Sequence, residues 1–234
     1  MMPLLKIISL LLEYPDEDLW QNREELLAAT EQAQPDLLAF VQRYLAAPVL
    51  DKQAEWCALF ERGRATSLLL FEHVHAESRE RGQAMVDLLN QYEAAGLQLS
   101  CRELPDYLPL YLEYLSRQDA AAAREGLQDI APILALLGGR LKARDSEFSA
   151  LFDALLAAAQ SPLRSDALAG QVAGEARDDS PAAMDAVWEE EQVKFMGSHS
   201  VMDNPCGDAP AQHAPRGGHD VLPQYLDLSA GGAK

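Results

Sequence analysis

The chain has 234 residues, 48% of them hydrophobic, with 37 acidic against 19 basic side chains and a formal net charge of −18. That length suits one helical domain with a sizeable core and is short for two independent cores. The charge excludes a nucleic-acid surface, because neutralising phosphates takes clustered Lys and Arg, and it disfavours an anionic membrane. An acidic surface favours a basic partner through complementary potential, or serves solubility alone.

No stretch approaches the roughly 20 uncharged residues that span a bilayer. The longest apolar runs, around Leu68 and from Ile130 to Leu137, are core-sized. The N-terminal MMPLLKIISLLLEYP lacks a basic region ahead of its apolar run and a small-residue cleavage site after it, so the chain is expected to be cytoplasmic. Cys57, Cys101 and Cys206 stand far apart with no CxxC, which fits a reducing compartment without a disulfide framework.

Apolar residues recur at three and four through most of the chain, and Ala, Leu, Glu and Gln dominate, so the expected fold is all-α. A first helix is predicted over Leu4 to Glu13, closed by Tyr14-Pro15, because proline disfavours a helical residue before it. Asp16 or Asp18 caps a second, reaching about Ala29. A third follows Pro35 with the stripe Leu38, Val41, Tyr44 and Leu45, and a fourth covers Gln53 to Arg62, presenting Trp56, Leu59 and Phe60, with Gly63 as its C-cap. Arg64 to His75 fits neither period and reads as a buried connecting loop.

A long helix is predicted from Glu77 to Ala95, with Met85, Leu88, Leu89 and Tyr92 as its stripe. Gly82 lies one turn earlier as a point of close approach, and Gly96 ends the helix. In LPDYLPLYLEYL, Leu104, Leu108, Tyr111, Leu112 and Leu115 share one face, and Asp106 and Glu113, seven apart, share another. Pro109 would cost a backbone bond in a helix begun at Pro105, so its start is kinked or delayed. Ile133 to Ala143 and Glu147 to Ala159 read as core helices, the second with Phe148, Leu151, Phe152, Leu155 and Leu156 at helical spacing. A weaker helix spans Asp166 to Ala176. Ser180-Pro181 starts a last one, carrying Met184, Val187, Trp188 and Phe195. The helical domain is expected to end at 197. Residues 198–234, rich in Gly, Pro and Asp, read as a disordered tail in which only Val221 to Leu228 is apolar enough to dock.

No phosphate-cradling, dinucleotide, nucleophile-elbow or zincin motif occurs, so no cofactor, metal or catalytic residue is assigned. His73-Val-His75 with Glu72 and Glu77, the tail's Cys206, His213 and His219, and the pair Asp178-Asp179 are all weaker as metal sites than as loop, tail and cap residues. The informative constellation is Asp106, Tyr107, Tyr111, Glu113 and Tyr114 on one short segment. A groove for a basic amphipathic helix needs apolar pockets and an acidic rim, and this segment carries both kinds of residue, although tyrosines are equally at home in a core.

Five strings carry a resemblance: LLEYPD (Leu11 to Asp16), LFERGRATSLLLFEHVH (Leu59 to His75), RELPDYLPLYLEYL (Arg102 to Leu115), DIAPILALL (Asp129 to Leu137) and EARDDSPAAMDAVWEEEQVKF (Glu175 to Phe195). Together they resemble the NarJ/NarW-type nitrate reductase molybdenum cofactor assembly chaperones of the wider TorD-like group. The resemblance implies a single bundle of roughly nine to ten helices. It implies a non-enzyme that binds the apo catalytic subunit of respiratory nitrate reductase, including its basic amphipathic N-terminal segment. Such a chaperone keeps the subunit competent for molybdenum cofactor insertion, prevents premature membrane anchoring and leaves before the final enzyme. By the same resemblance, Asp106, Tyr107 and Glu113, with the loop from Arg64 through Phe71 to Glu72, are the contact residues. The alternative is a generic acidic helical adaptor or scaffold.

Overall fold

The computed structural model describes residues 2–74, 79–99, 103–186, 188 and 189, all within one compact unit. The expected boundary at 197, the tail, and the helix residues Val187 and Phe195 lie outside the described residues. The architecture is all-α, and an isolated bridge between Leu69 and Tyr107 is its β-type pairing.

Helix α1 (Met2–Leu12) buries Leu4, Leu5, Ile8, Leu11 and Leu12 and packs along α7 (Leu108–Ser116). The indole N–H of Trp56 donates to the carbonyl of Leu12 at 2.8 Å, satisfying one of the orphan acceptors at the end of α1. The predicted second helix is divided into α2 (Glu17–Gln21), with Asp16 as N-cap accepting from the Leu19 N–H, and α3 (Arg23–Ala33). Asn22 makes the break, because its side-chain and backbone N–H groups both donate to the Asp18 carbonyl.

A 3-10 turn at Pro35–Leu37 leads into α4 (Leu38–Ala46), and α5 spans Val49–Phe60. Leu37 and Phe40 are buried beside Val41, Tyr44 and Leu45, whereas Leu38 and Leu59 are only half-buried. Phe148 forms the aromatic centre, with ring centroids 5.7 Å from Phe40, 5.8 Å from Tyr44 and 5.3 Å from Phe60.

Helix α6 (Arg79–Ala94) turns Leu88 and Tyr92 inward. It ends at Gly96 with φ +75°, where the Leu97 N–H donates back to Tyr92 O at 2.9 Å. Gly82 faces open space, with nothing within 4 Å of where a Cβ would sit, so it is not the expected point of close approach. That role belongs to glycines on α8 (Ala120–Asp129) and α9 (Ala131–Ala143). A Cβ at Gly126 would lie 2.6 Å from Leu115 Cδ2, and one at Gly139 would lie 3.1 Å from the Ser165 carbonyl oxygen and the Ala169 nitrogen. Gly138-Gly139 thereby lets α11 (Ser165–Val172) lie against α9, which also packs on α10 (Ser149–Ala158). A last helical segment at 181–186 begins as expected, with the Ser180 hydroxyl accepting from the Ala183 N–H.

Helix α8 adds an element to the predicted set. Asp119 caps it, accepting from both Ala121 and Ala122 N–H at 2.9 Å. No helix among the described residues is long and apolar enough to cross a membrane.

Candidate functional site

The tyrosine-rich segment folds differently from one continuous helix. Helix α7 starts at Leu108 with Pro109 in its first turn, where the missing N–H costs nothing, so the delayed start is the one observed. Asp106 therefore precedes the helix and does not share a face with Glu113; Leu104 is 43% exposed and stands outside the apolar stripe.

Asp106 is 0% exposed. Its Oδ2 accepts the Phe71 N–H at 3.0 Å and its carbonyl accepts the Leu70 N–H at 2.9 Å, while the Leu108 N–H donates to Leu68 O at 2.8 Å. Burial raises its carboxyl above the ordinary value, opposed by the Phe71 N–H and the Arg81 charge. Its Oδ1 is buried without a hydrogen-bond partner. Asp106 is thus spent on holding the loop after α5 against the start of α7. Phe71 packs against the core from that loop. His73, in the cluster considered for a metal, donates from Nε2 to Ser67 O at 2.9 Å, and burial pulls its pKa down. His75 and Glu77 lie outside the described residues.

The remaining candidates fall into two places. Tyr107, Glu113 and Tyr114 line a cavity of about 510 Å³ between the end of α6, α7 and the residues that follow α1, with Glu103, Leu97 and Leu99 opposite. Tyr111 does not line it and is buried, donating to Gly126 O at 3.4 Å. Tyr114 leans on Tyr92, ring centroids 5.0 Å apart. Arg64 and Glu72 instead line a separate cavity of about 520 Å³.

Beside the first cavity lies another of about 450 Å³ between α1 and α3, lined by Ile7, Leu10, Leu19 and Leu26 and rimmed by Asp16, Asp18 and Glu25. Glu13 and Tyr14 line both cavities, so the two adjoin at the end of α1 as lobes of a trough divided by these side chains. The Lys6–Glu113 ion pair, 3.1 Å, crosses between them. Burial pushes the Glu113 carboxyl up, but hydrogen bonds from Arg117 and Lys6 outweigh it and leave the pKa lowered. Glu13 has the opposite balance: burial and the neighbouring Glu113, Asp16 and Glu103 raise it against Lys6. Tyr107 is likewise raised, by burial and by Glu13, Glu103 and Glu61. The two lobes therefore have apolar walls with six carboxylates, Glu13, Asp16, Asp18, Glu25, Glu103 and Glu113, against Lys6 and Arg117, which both pair with Glu113. Glu13, Tyr14 and Glu103 are the residues that sequence reasoning missed; the first two are visible in LLEYPD only as a helix end.

The family model for the nitrate reductase delta subunit matches residues 23–154, more than half of the chain. The chain belongs to the nitrate reductase delta subunit family. Within that family it is similar to the probable nitrate reductase molybdenum cofactor assembly chaperone NarW of Escherichia coli K12, 60% identical over 100% of both chains. It is also similar to the nitrate reductase molybdenum cofactor assembly chaperone NarJ of the same organism, 54% identical over 97% of this chain and 98% of that one. Among solved structures, one described as a redox enzyme maturation protein from Archaeoglobus fulgidus is 21% identical, with a TM-score of 0.48 over 68% of this chain and 92% of that chain. Among the described residues of this family member, no group of three or more His, Cys, Asp or Glu side chains converges on a metal-sized site.

Proposed function

We propose that this chain is a dedicated cytoplasmic chaperone of respiratory nitrate reductase: it binds the apo catalytic subunit through that subunit's basic amphipathic N-terminal segment. It holds the subunit competent for molybdenum cofactor insertion, delays its membrane anchoring, and is absent from the finished enzyme. The observation that carries the reading is the acid-rimmed apolar trough across the end of α1, in a chain 60% identical to a probable assembly chaperone.

Such a trough suits an amphipathic helix, whose apolar residues at i, i+3, i+4 and i+7 enter the pockets while its Lys and Arg meet Glu13, Asp16, Glu103 and Glu113. The contact residues are Tyr107, Tyr114, Glu113, Glu103, Glu13 and Asp16. Asp106 and Phe71 act as positioning residues that fix the Tyr107 backbone, and Arg64 and Glu72 stand apart from the trough. Mass action supplies the mechanism: occupying an exposed segment lowers the free concentration of the aggregation-prone subunit, and no bond is made or broken.

Co-purification from cells expressing nitrate reductase tests this against a generic adaptor. The chaperone reading expects the catalytic subunit to be recovered in its cofactor-free form and to be released once cofactor is inserted. Recovery of the mature, cofactor-loaded enzyme, or of unrelated proteins alone, contradicts it.

A further inference from the structure

We propose that the cavity beneath Trp188 is a second docking face, separate from the α1 trough, which takes an amphipathic helical segment carrying a bulky apolar residue flanked by Lys or Arg. Trp188 is 65% exposed, more than any other aromatic ring among the described residues, and Met184 is 37% exposed. Four residues apart, both line the same cavity of about 520 Å³, which has Phe60 of α5 as its floor. That size is ordinary for a cleft that receives a few side chains.

The segment that presents Trp188 is pinned. Arg144 donates from Nη2 to Asp178 Oδ1 at 2.9 Å and from Nη1 to Thr66 Oγ1 at 2.9 Å, while Asp178 Oδ2 accepts the Ala65 N–H at 2.7 Å. Gly63 lies against that carboxylate so closely that a Cβ would sit 2.6 Å from it. Arg140 adds a hydrogen bond to Ala65 O at 2.9 Å and an ion pair to Glu175 at 2.8 Å. The segment thus hangs on one junction, and its first helical turn is capped by Ser180. An exposed indole on a segment anchored ten residues upstream supplies the large apolar area that dominates binding at interfaces.

Charge selects the occupant. In the cavity lining Glu61 and Glu72 balance Arg62 and Arg64 while Asp178 is paired with Arg144, so the acidic excess lies on the segment itself, where Asp185 and Glu189 are exposed beside Met184 and Trp188. An apolar side chain between basic neighbours complements this rim; an acidic segment would be repelled.

The test is calorimetric titration of the full chain with a helix-forming Leu/Lys peptide and with its Leu/Glu counterpart. The wild type, Trp188→Ala, and a trough variant, Glu103→Lys with Glu113→Lys, are compared, with sedimentation of each protein alone. The proposal expects two classes of Leu/Lys site in the wild type. Trp188→Ala, at an exposed position that leaves helicity unchanged, weakens one class at least about tenfold and spares the other. The trough variant does the reverse; should the trough bind nothing, a single class remains, which Trp188→Ala weakens and the trough variant spares, so the two readings fail separately. Unchanged stoichiometry and affinity in Trp188→Ala, equal binding of the Leu/Glu peptide, or wild-type self-association that Trp188→Ala abolishes would each overturn the proposal, the last by assigning the face to a second copy.

Discussion

Arg144→Met removes the guanidinium that joins the loop after α5 to the segment before 181 while keeping most of the packed stem. The Arg144 side chain is 9% exposed, and its partners Asp178 and Asp179 are 33% and 9% exposed. Losing one partner of a buried ion pair costs about 3–5 kcal/mol, because the remaining charge is left desolvated. Here each acid keeps another donor, Asp178 the Ala65 N–H and Asp179 the Arg177 guanidinium, so the loss should be smaller. Two charge-assisted bonds at about 1.5–3 kcal/mol each set the upper side, and the expected destabilisation is about 2–4 kcal/mol. Urea unfolding followed by circular dichroism at neutral pH measures it, with an unchanged slope as the check on two-state behaviour. In an Asp178→Asn background the same substitution should cost at least about 1 kcal/mol less, since the pair is already weakened. A loss below about 0.5 kcal/mol in the single variant would refute the junction as a stabilising centre.

Three further outcomes follow from the packing. Gly138→Ala should destabilise by about 1–3 kcal/mol although alanine is the better helix former, because its Cβ would lie 2.8 Å from Ser165 Cβ and 3.2 Å from Phe152 Cβ; Gly82→Ala, in open space, should stabilise by about 0.5–1 kcal/mol in the same denaturation assay. Ser9→Ala should cost about 1–2 kcal/mol by removing the buried 2.9 Å bond from its hydroxyl to Pro109 O. Asp106 has a raised pKa, so its protonated form favours folding most below the unfolded carboxyl value near 4, and that contribution is lost as pH rises through the folded value. Asp106→Asn should therefore gain on the wild type as the pH of a thermal melt is taken from about 4 to 7, and a deficit that widened with pH would contradict the sign.

Most helices were legible because their apolar spacing is strong: Phe148, Leu151, Phe152, Leu155 and Leu156 are all buried where the helical template puts them. Helix α8 was not, because its run of alanines and short polar residues offers only Ala123, Gly126 and Leu127 to the core, and the cue lay in the Asp119 cap. Spacing alone put Asp106 and Glu113 on one face. That presumes an unbroken helix, whereas α7 starts only at Leu108, with Pro109 in its first turn, and Asp106 before it is bonded to Phe71 and Leu70. The Arg144–Asp178 junction and the shared trough at Glu13 join residues distant in sequence, such as Ala65 and Asp178, 113 positions apart, and no local pattern announces such pairs.

A trough across α1 that grips a basic amphipathic segment is tested most directly by calorimetric titration with a peptide of the nitrate reductase catalytic subunit's N-terminus, comparing wild type with Glu103→Lys plus Glu113→Lys. Asp106 stays untouched because a buried lysine there would unfold the loop. Micromolar or tighter binding by the wild type is expected, weakened at least about tenfold by the reversals while helicity holds. Equal binding by the two folded proteins, or none by the wild type, would contradict it.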